Sequence, residues 1–221
     1  MLLDIAVGYV IITICNYKLQ DVKVKLLKEF NMPRQILSKD GIIKTSIQLL
    51  EAGQEISFSN IAQALGTRSQ ALYSYFPNQI ALSYGIIAWL IKNLCLHLQQ
   101  KLFGQTGING IVAFVTEVRT LALEHFELTR LILKMPRTQQ FPEVTAAYDQ
   151  LRLLFNQLLA TEFTTPAQQL LASRWIRDVT IGDIVNVGTG WFADKSLSAN
   201  QSFQKMLQQS IRELVNVPNQ N

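Results

Sequence analysis

The chain has 221 residues, of which 48 % are hydrophobic and 16 % charged, with a formal net charge of +4. A sizeable core can be buried, while the charged share falls well short of the usual ~25 % of a globular chain, so part of the surface is expected to lie against another subunit. The modest positive charge permits an anionic partner without requiring one, and two cysteines (Cys15, Cys95) and two histidines (His97, His125) offer neither metal-ligand spacing nor a disulfide framework, as expected of reduced thiols in a cytoplasmic protein.

Residues Leu2 to Cys15 are mostly apolar but interrupted by Asp4. The run is too short to span a membrane, and it lacks the basic start and small-residue cleavage site of a secretory signal. A lysine-rich stretch follows, Lys18 to Lys28, and then Met32-Pro33-Arg34. The Lys28-Glu29 codons can form a ribosome-binding sequence two codons ahead of Met32. Residues 1–31 are therefore expected to be a non-native or disordered extension, with translation starting at Met32. The alternative is a genuine extra helix or strand.

From Ser38 onward the sequence predicts helices separated by short breaks, with no sustained two-residue alternation and so no sheet. Ser38 caps a first helix, Lys39 to Ala52, whose stripe is Ile42, Ile43, Ile47 and Leu50, and Gly53 closes it. Ser57 caps a second, Phe58 to Leu65, broken at Gly66. A third runs Ser69 to Phe76 and stops at Pro77-Asn78, and Asn78 opens a long apolar helix toward Leu102. Gly104, Gly107 and Gly110 mark a loop. Further helices are expected at Ile111–Leu123, Phe126–Lys134, Glu143–Glu162, Pro166–Val187 and Ser198–Val215, with Pro136, Pro142, Pro166, Gly188 and Gly190 as punctuation.

The informative stretch is Ser57 to Phe76. Two short helices that cross closely need a small residue at the contact, supplied by Ala62, and a left-handed residue in the turn, supplied by Gly66. Ile61, Leu65, Leu72 and Phe76 are spaced to share one apolar seam. Arg68, Ser69, Gln70, Tyr73, Ser74 and Tyr75 are left partly or wholly outside. Hydroxyls donate to phosphate, Arg and Gln reach base edges, and the second helix of such a pair enters the major groove.

From about Arg34 to Ala88 the sequence resembles the TetR family of repressors, through Glu51-Ala52-Gly53, Ile61-Ala62, Leu65-Gly66, Leu72-Tyr73, Tyr75-Phe76-Pro77-Asn78 and Leu82. The resemblance implies an all-α protein: a helix-turn-helix domain over 34–94, joined by a long helix to a ligand-binding and dimerisation domain over 95–217. It places Ser57 at a capping, phosphate-touching position and puts Ser69, Gln70 and Ala71 at the start of the recognition helix. Tyr73 and Tyr75 match phosphate-binding aromatic positions. Two departures stand out: Gln79 replaces a common lysine, and Arg68 replaces a common Ser or Thr cap, which restores a charge but weakens the cap. Between Met32 and Ile80 the net charge is only one positive unit, so two domains acting together on a pseudo-palindromic operator in double-stranded DNA are expected.

In the C-terminal part, Trp89, Phe114, Phe126, Tyr148 and Trp175 are candidate pocket residues for a small-molecule inducer, although core packing explains most such side chains. His125, Arg174, Asp178 and Asp183 are polar candidates, read more simply as surface or salt-bridged residues. Gly182, Asn186 and Gly190 recur every four residues, and Phe203, Leu207, Ile211 and Leu214 form a second stripe. Together they are expected to build a four-helix homodimer interface, with ordinary core packing as the alternative. The function implied is a ligand-released, cytoplasmic transcriptional repressor with no cofactor beyond the inducer and no membrane partner. An enzyme is disfavoured because no Ser-His-Asp set, metal cluster or phosphate-cradling loop is seen. An adaptor that binds protein partners and has lost DNA binding is the remaining alternative.

Overall fold

A computed structural model of the chain describes residues 37–192 and 196–216, which fall within one contact unit, Leu37–Asn221. The reading of residues 1–31 lies outside the described residues. Among the latter there are nine helices and no strand, so the fold is all-α. They are α1 Lys39–Glu51, α2 Phe58–Ala64, α3 Ser69–Leu72, α4 Gln79–Lys101, α5 Gly107–Glu124, α6 Phe126–Lys134, α7 Pro142–Leu159, α8 Pro166–Gly188 and α9 Ala199–Asn216.

Local chemistry sets the starts. Ser38, Ser57 and Asn78 each accept a hydrogen bond from a backbone N–H in the first turn of the helix that follows. Thr165 and Gln168 form a reciprocal capping box ahead of Pro166 at the start of α8. Two boundaries differ most from the sequence expectation, by four residues each. The third helix keeps regular geometry only to Leu72, because Arg68 provides no side-chain cap and Pro77 disfavours helical backbone at Phe76. The expected glycine loop is shorter, since α5 already begins at Gly107. Gly110 is built into that helix, where a Cβ would come within 3.1 Å of the Gln105 backbone and 3.2 Å of Leu158.

Three apolar clusters fill the interior. The first joins Ile42, Ile47, Ile61, Leu72 and Phe76 to Leu82 and Ile86 of α4 and to Leu128 of α6. The second gathers Leu98, Ile111, Phe114, Leu159 and Ile176 around Phe203, Leu207 and Ile211 of α9. The third lies where α4 packs most extensively, against α7, and holds Ile87, Ile91, Cys95, Val144 and Ala147. The long apolar α4 is thus the spine that all three clusters share.

A buried ion pair crosses the second cluster. Arg119 of α5 donates through Nε to Asp183 of α8 at 2.5 Å and through Nη1 to Asn200 of α9 at 2.7 Å, with its guanidinium 4.7 Å from the centre of the Phe203 ring.

At the last residue of α8, Gly188 sits against the Phe126 ring so closely that a Cβ would lie 2.1 Å from it. Gly188→Ala is therefore expected to lower unfolding free energy by about 1–3 kcal/mol in urea titrations. Adding Phe126→Ala should make the alanine at 188 itself nearly cost-free.

Candidate nucleic-acid interface

The candidate DNA-facing unit named from sequence is the α2–α3 pair. Gly66 carries the chain through the turn at φ +63°, a backbone region open to glycine at no steric cost. Ile61 and Leu72 are fully buried and Phe76 nearly so, while Leu65 is half-buried against the same cluster. The apolar seam therefore forms as expected and fixes which side of α3 looks outward.

On that outward side the candidate residues are brought together, but not all are equally free. Ser57 is engaged in its cap, accepting from the Asn60 N–H at 3.1 Å. Arg68 precedes α3 with no cap of its own and an exposed side chain. Gln70 is exposed, whereas Ser69 and Ala71 are half-buried. Tyr73 is 56 % exposed, and its ring meets Phe58 edge-on at 4.7 Å between centroids. That contact fixes the ring while no group among the described residues hydrogen-bonds its hydroxyl. Ser74 donates back to the Ala71 carbonyl at 2.8 Å.

Two candidates are tied to the scaffold. The Tyr75 hydroxyl donates to the Leu37 carbonyl at 2.6 Å, pinning the start of the described chain to the end of the recognition unit. The Gln79 amide donates to the Ile56 carbonyl, which buttresses the approach to α2. The departure from lysine at position 79 thus has a structural consequence: an amide closes a backbone contact where a cation would reach outward.

The pocket candidates do not converge. Trp89 lies beside the first cluster and donates from its indole N–H to Asp40 of α1 at 3.1 Å. Phe114 stacks on Phe155 at 5.1 Å between centroids, inside the second cluster. Tyr148 borders the third cluster, with the Arg137 guanidinium 3.5 Å from its ring centre. Phe126 occupies the site opposite Gly188. Trp175 is half-exposed on the outside of α8. Of the polar candidates, Asp183 and His125 are paired with Arg119 and Glu51, and Arg174 and Asp178 are exposed.

The expected interface residues need correction. Phe203, Leu207 and Ile211 are at most 1 % exposed within a single chain, because the stripe on α9 packs against α5 and α8. Gly190 lies beyond the end of α8 at φ +83°, a helix stop and not a helix face. Gly182 and Asn186 remain half-buried, with open space above Gly182. The exposed apolar surface comes from Leu171, Trp175 and Val185 on α8, the side that also carries Gly182, and from Met206 on α9. Leu171, Trp175, Leu197 and Met206 line an open groove of about 670 Å³, rimmed by Lys205, Gln209 and Glu213. On α9 the stripe chosen from sequence is the buried face, since periodicity reports a stripe and not what covers it.

No protein-family model matches the chain, and no curated protein matches it. Solved structures do. The transcriptional regulator FadR from Bacillus subtilis, in complex with stearoyl-CoA, is similar over 81 % of this chain and 98 % of its own, at 13 % identity and a TM-score of 0.59. A TetR transcriptional regulator from Rhodococcus sp. RHA1 aligns over 82 % of this chain and 100 % of its own, at 15 % identity and a TM-score of 0.58. Apo ActR from Streptomyces coelicolor covers 83 % and 96 %, at 16 % identity and a TM-score of 0.58.

Because the Tyr75 hydroxyl is used inside the protein and that of Tyr73 is not, phenylalanine should affect them differently. Tyr75→Phe is expected to cost about 0.5–1.5 kcal/mol of stability, read by thermal or urea unfolding, while Tyr73→Phe leaves stability nearly unchanged. At low identity but nearly full coverage of the solved chains, the nine-helix arrangement around α4 has the fold of the TetR transcriptional regulators.

Proposed function

We propose that the chain is a sequence-specific DNA-binding transcriptional regulator, a cytoplasmic repressor that acts as a homodimer and is released by a small molecule. The observation that carries this reading is the face of the α2–α3 pair: Arg68, Gln70 and Tyr73 stand exposed on a glycine-turned scaffold whose inner side is fully buried. Such a face suits a major groove, with Tyr73 and Arg68 on phosphates and Gln70 on a base edge. Ser57, Tyr75 and Gln79 then act by holding the unit in shape. The similar solved structures are of transcriptional regulators, one of them in complex with stearoyl-CoA, and this supports a regulatory, non-catalytic role and an apolar effector.

Dimerisation is supported by the groove between α8 and α9. An exposed tryptophan, leucine and methionine on neighbouring helices form the kind of apolar patch that marks protein contact. With little positive charge on each reading unit, pairing two units on one duplex supplies the affinity that one lacks.

The test is binding of the purified protein to the DNA flanking its own gene, followed by fluorescence anisotropy with unrelated duplex as control. Gln70→Ala should cost about 1–3 kcal/mol of discrimination between operator and control. Tyr73→Phe should weaken binding to both. Equal affinity of the unaltered protein for operator and control would overturn the reading. Trp175→Glu combined with Met206→Glu is expected to shift the protein to monomer in sedimentation and to abolish tight operator binding while helicity is retained.

A further inference from the structure

His125 is the single residue between α5 and α6, closing one helix and opening the next at φ −116° and ψ 52°. Its backbone is held from both sides: its N–H donates to Leu121, and its carbonyl accepts from Thr129, each at 3.0 Å. The Thr129 hydroxyl bonds the Ala122 carbonyl at 2.8 Å and so braces the corner. Next to it, Phe126 is wedged against Gly188 of α8, and one turn on, Leu128 enters the core of the helix-turn-helix. From this braced corner the ring Nδ1 meets the carboxylate of Glu51, the last residue of α1, at 2.6 Å. The ring is about one-third exposed and the carboxylate one-quarter, so protons reach the pair from solvent.

We propose that the His125–Glu51 pair is a proton-operated latch, fastening α1 and the helix-turn-helix it belongs to onto the α5–α6 corner. The opposite end of α1 is fastened differently. There Lys39 pairs with the Glu143 carboxylate of α7 at 2.8 Å, a contact that contains no imidazole. Proton uptake at His125 therefore tightens one end of α1 and leaves the other unchanged, which favours a tilt of the helix over its release.

The charges acting on the imidazole agree with this. The hydrogen bond to Glu51 raises its proton affinity, burial opposes it, and the charges of Glu51 from α1 and Glu124 from α5 add to the rise. The result is a pKa above the ordinary 6.5. The latched state thus holds the proton more firmly than the open one. Its extra stability is complete below 6.5 and is lost as pH rises through the raised value. If α1 shifts between DNA-bound and released states, proton uptake and operator affinity are linked; this consequence rests on the DNA-binding reading above.

Two measurements separate the latch from that reading. The first uses the full chain without DNA: NMR titration of His125, and amide exchange along α1 corrected for the intrinsic effect of pH. His125 should titrate above 6.5 in the unaltered protein and fall back toward it in Glu51→Gln, and α1 should be better protected near pH 6 than near pH 8 only when Glu51 is present. The second is operator affinity at the same two acidities for the unaltered protein, Glu51→Gln and His125→Gln. The unaltered protein should show a change of about fivefold or more that both variants lose. A His125 titration indifferent to Glu51→Gln, α1 protection independent of pH, or equal pH dependence in all three proteins would overturn the latch. Failure of the unaltered protein to bind any operator would overturn the DNA reading alone, and the first measurement would still decide the latch.

Discussion

Leu128 is 5 % exposed, yet the side chains around it come largely from helices other than its own. It enters the cluster formed by α1, α2, α3 and the first turns of α4, so the helix-turn-helix unit does not close its own core. A unit of three short helices, one of them only four residues long, has little apolar surface to bury against itself. Borrowing Leu128, with Leu131 and Trp89 at the margin, supplies what is missing and makes α6 and α4 part of the reading unit's structure. The consequence is mechanical. Any rearrangement that moves α6 must either carry α1 with it or expose apolar surface, and packed cores prefer discrete rearrangements over gradual deformation.

Polar contacts between helices decide which rearrangements are available. Trp89 to Asp40, Lys39 to Glu143 and Glu51 to His125 fasten α1 along its length to three different helices or corners. Each is exposed enough to add little to global stability. Their value is positional, because an ion pair or an indole bond is satisfied at one register and lost at the next. The buried pair of Arg119 and Asp183 does the same inside the body. Taking both charges out of water is costly, and Arg119 Nη2 and Asp183 Oδ1 have no hydrogen-bond partner among the described residues. What the pair secures is the mutual register of α5, α8 and, through Asn200, α9. That register sets the relative position of the two walls of the α8–α9 groove.

The helix-turn-helix was legible in the sequence because its determinants are local. Ser57, Ala62, Gly66, Leu72 and Phe76 act within twenty residues of one another, and each residue type answers one geometric need of the turn or seam. Helix starts were legible for the same reason, through Ser38, Asn78 and Thr165. The body was legible as helices but not as contacts. The α9 stripe of Phe203, Leu207 and Ile211 fits a subunit interface and a core equally well, since apolar periodicity does not say which neighbour provides the cover. Charge pairs were the least accessible: His125 and Glu51 are separated by 74 positions, and Arg119 and Asp183 by 64. Nothing in the flanking residues of either pair announces its partner. Among the DNA candidates, Tyr75 and Gln79 matched by position, yet their polar atoms turn inward to Leu37 and Ile56, a use that motif matching does not distinguish from reaching a phosphate.

A contiguous series of contacts leads from the α8–α9 groove to α3. Trp175 and Gly188 lie on the same helix, Gly188 bears on Phe126, Phe126 adjoins His125, and His125 holds Glu51 at the end of α1. From α1, Ile42 and Ile47 pack in the cluster that holds Leu72 of α3. Contiguity alone does not establish coupling, which needs an element with two states that both ends bias. The latch proposed at the α5–α6 corner would supply such an element, because the corner is attached to α1 by one titratable bond and one apolar plug. A ligand or subunit that displaced α8 by a fraction of an ångström would press Gly188 against the Phe126 ring, and through it the motion would pass to the corner. Whether it then reaches α3 depends on the order in which the two attachments fail, and the polar one, exposed to solvent and weakened by deprotonation, is the one that gives first.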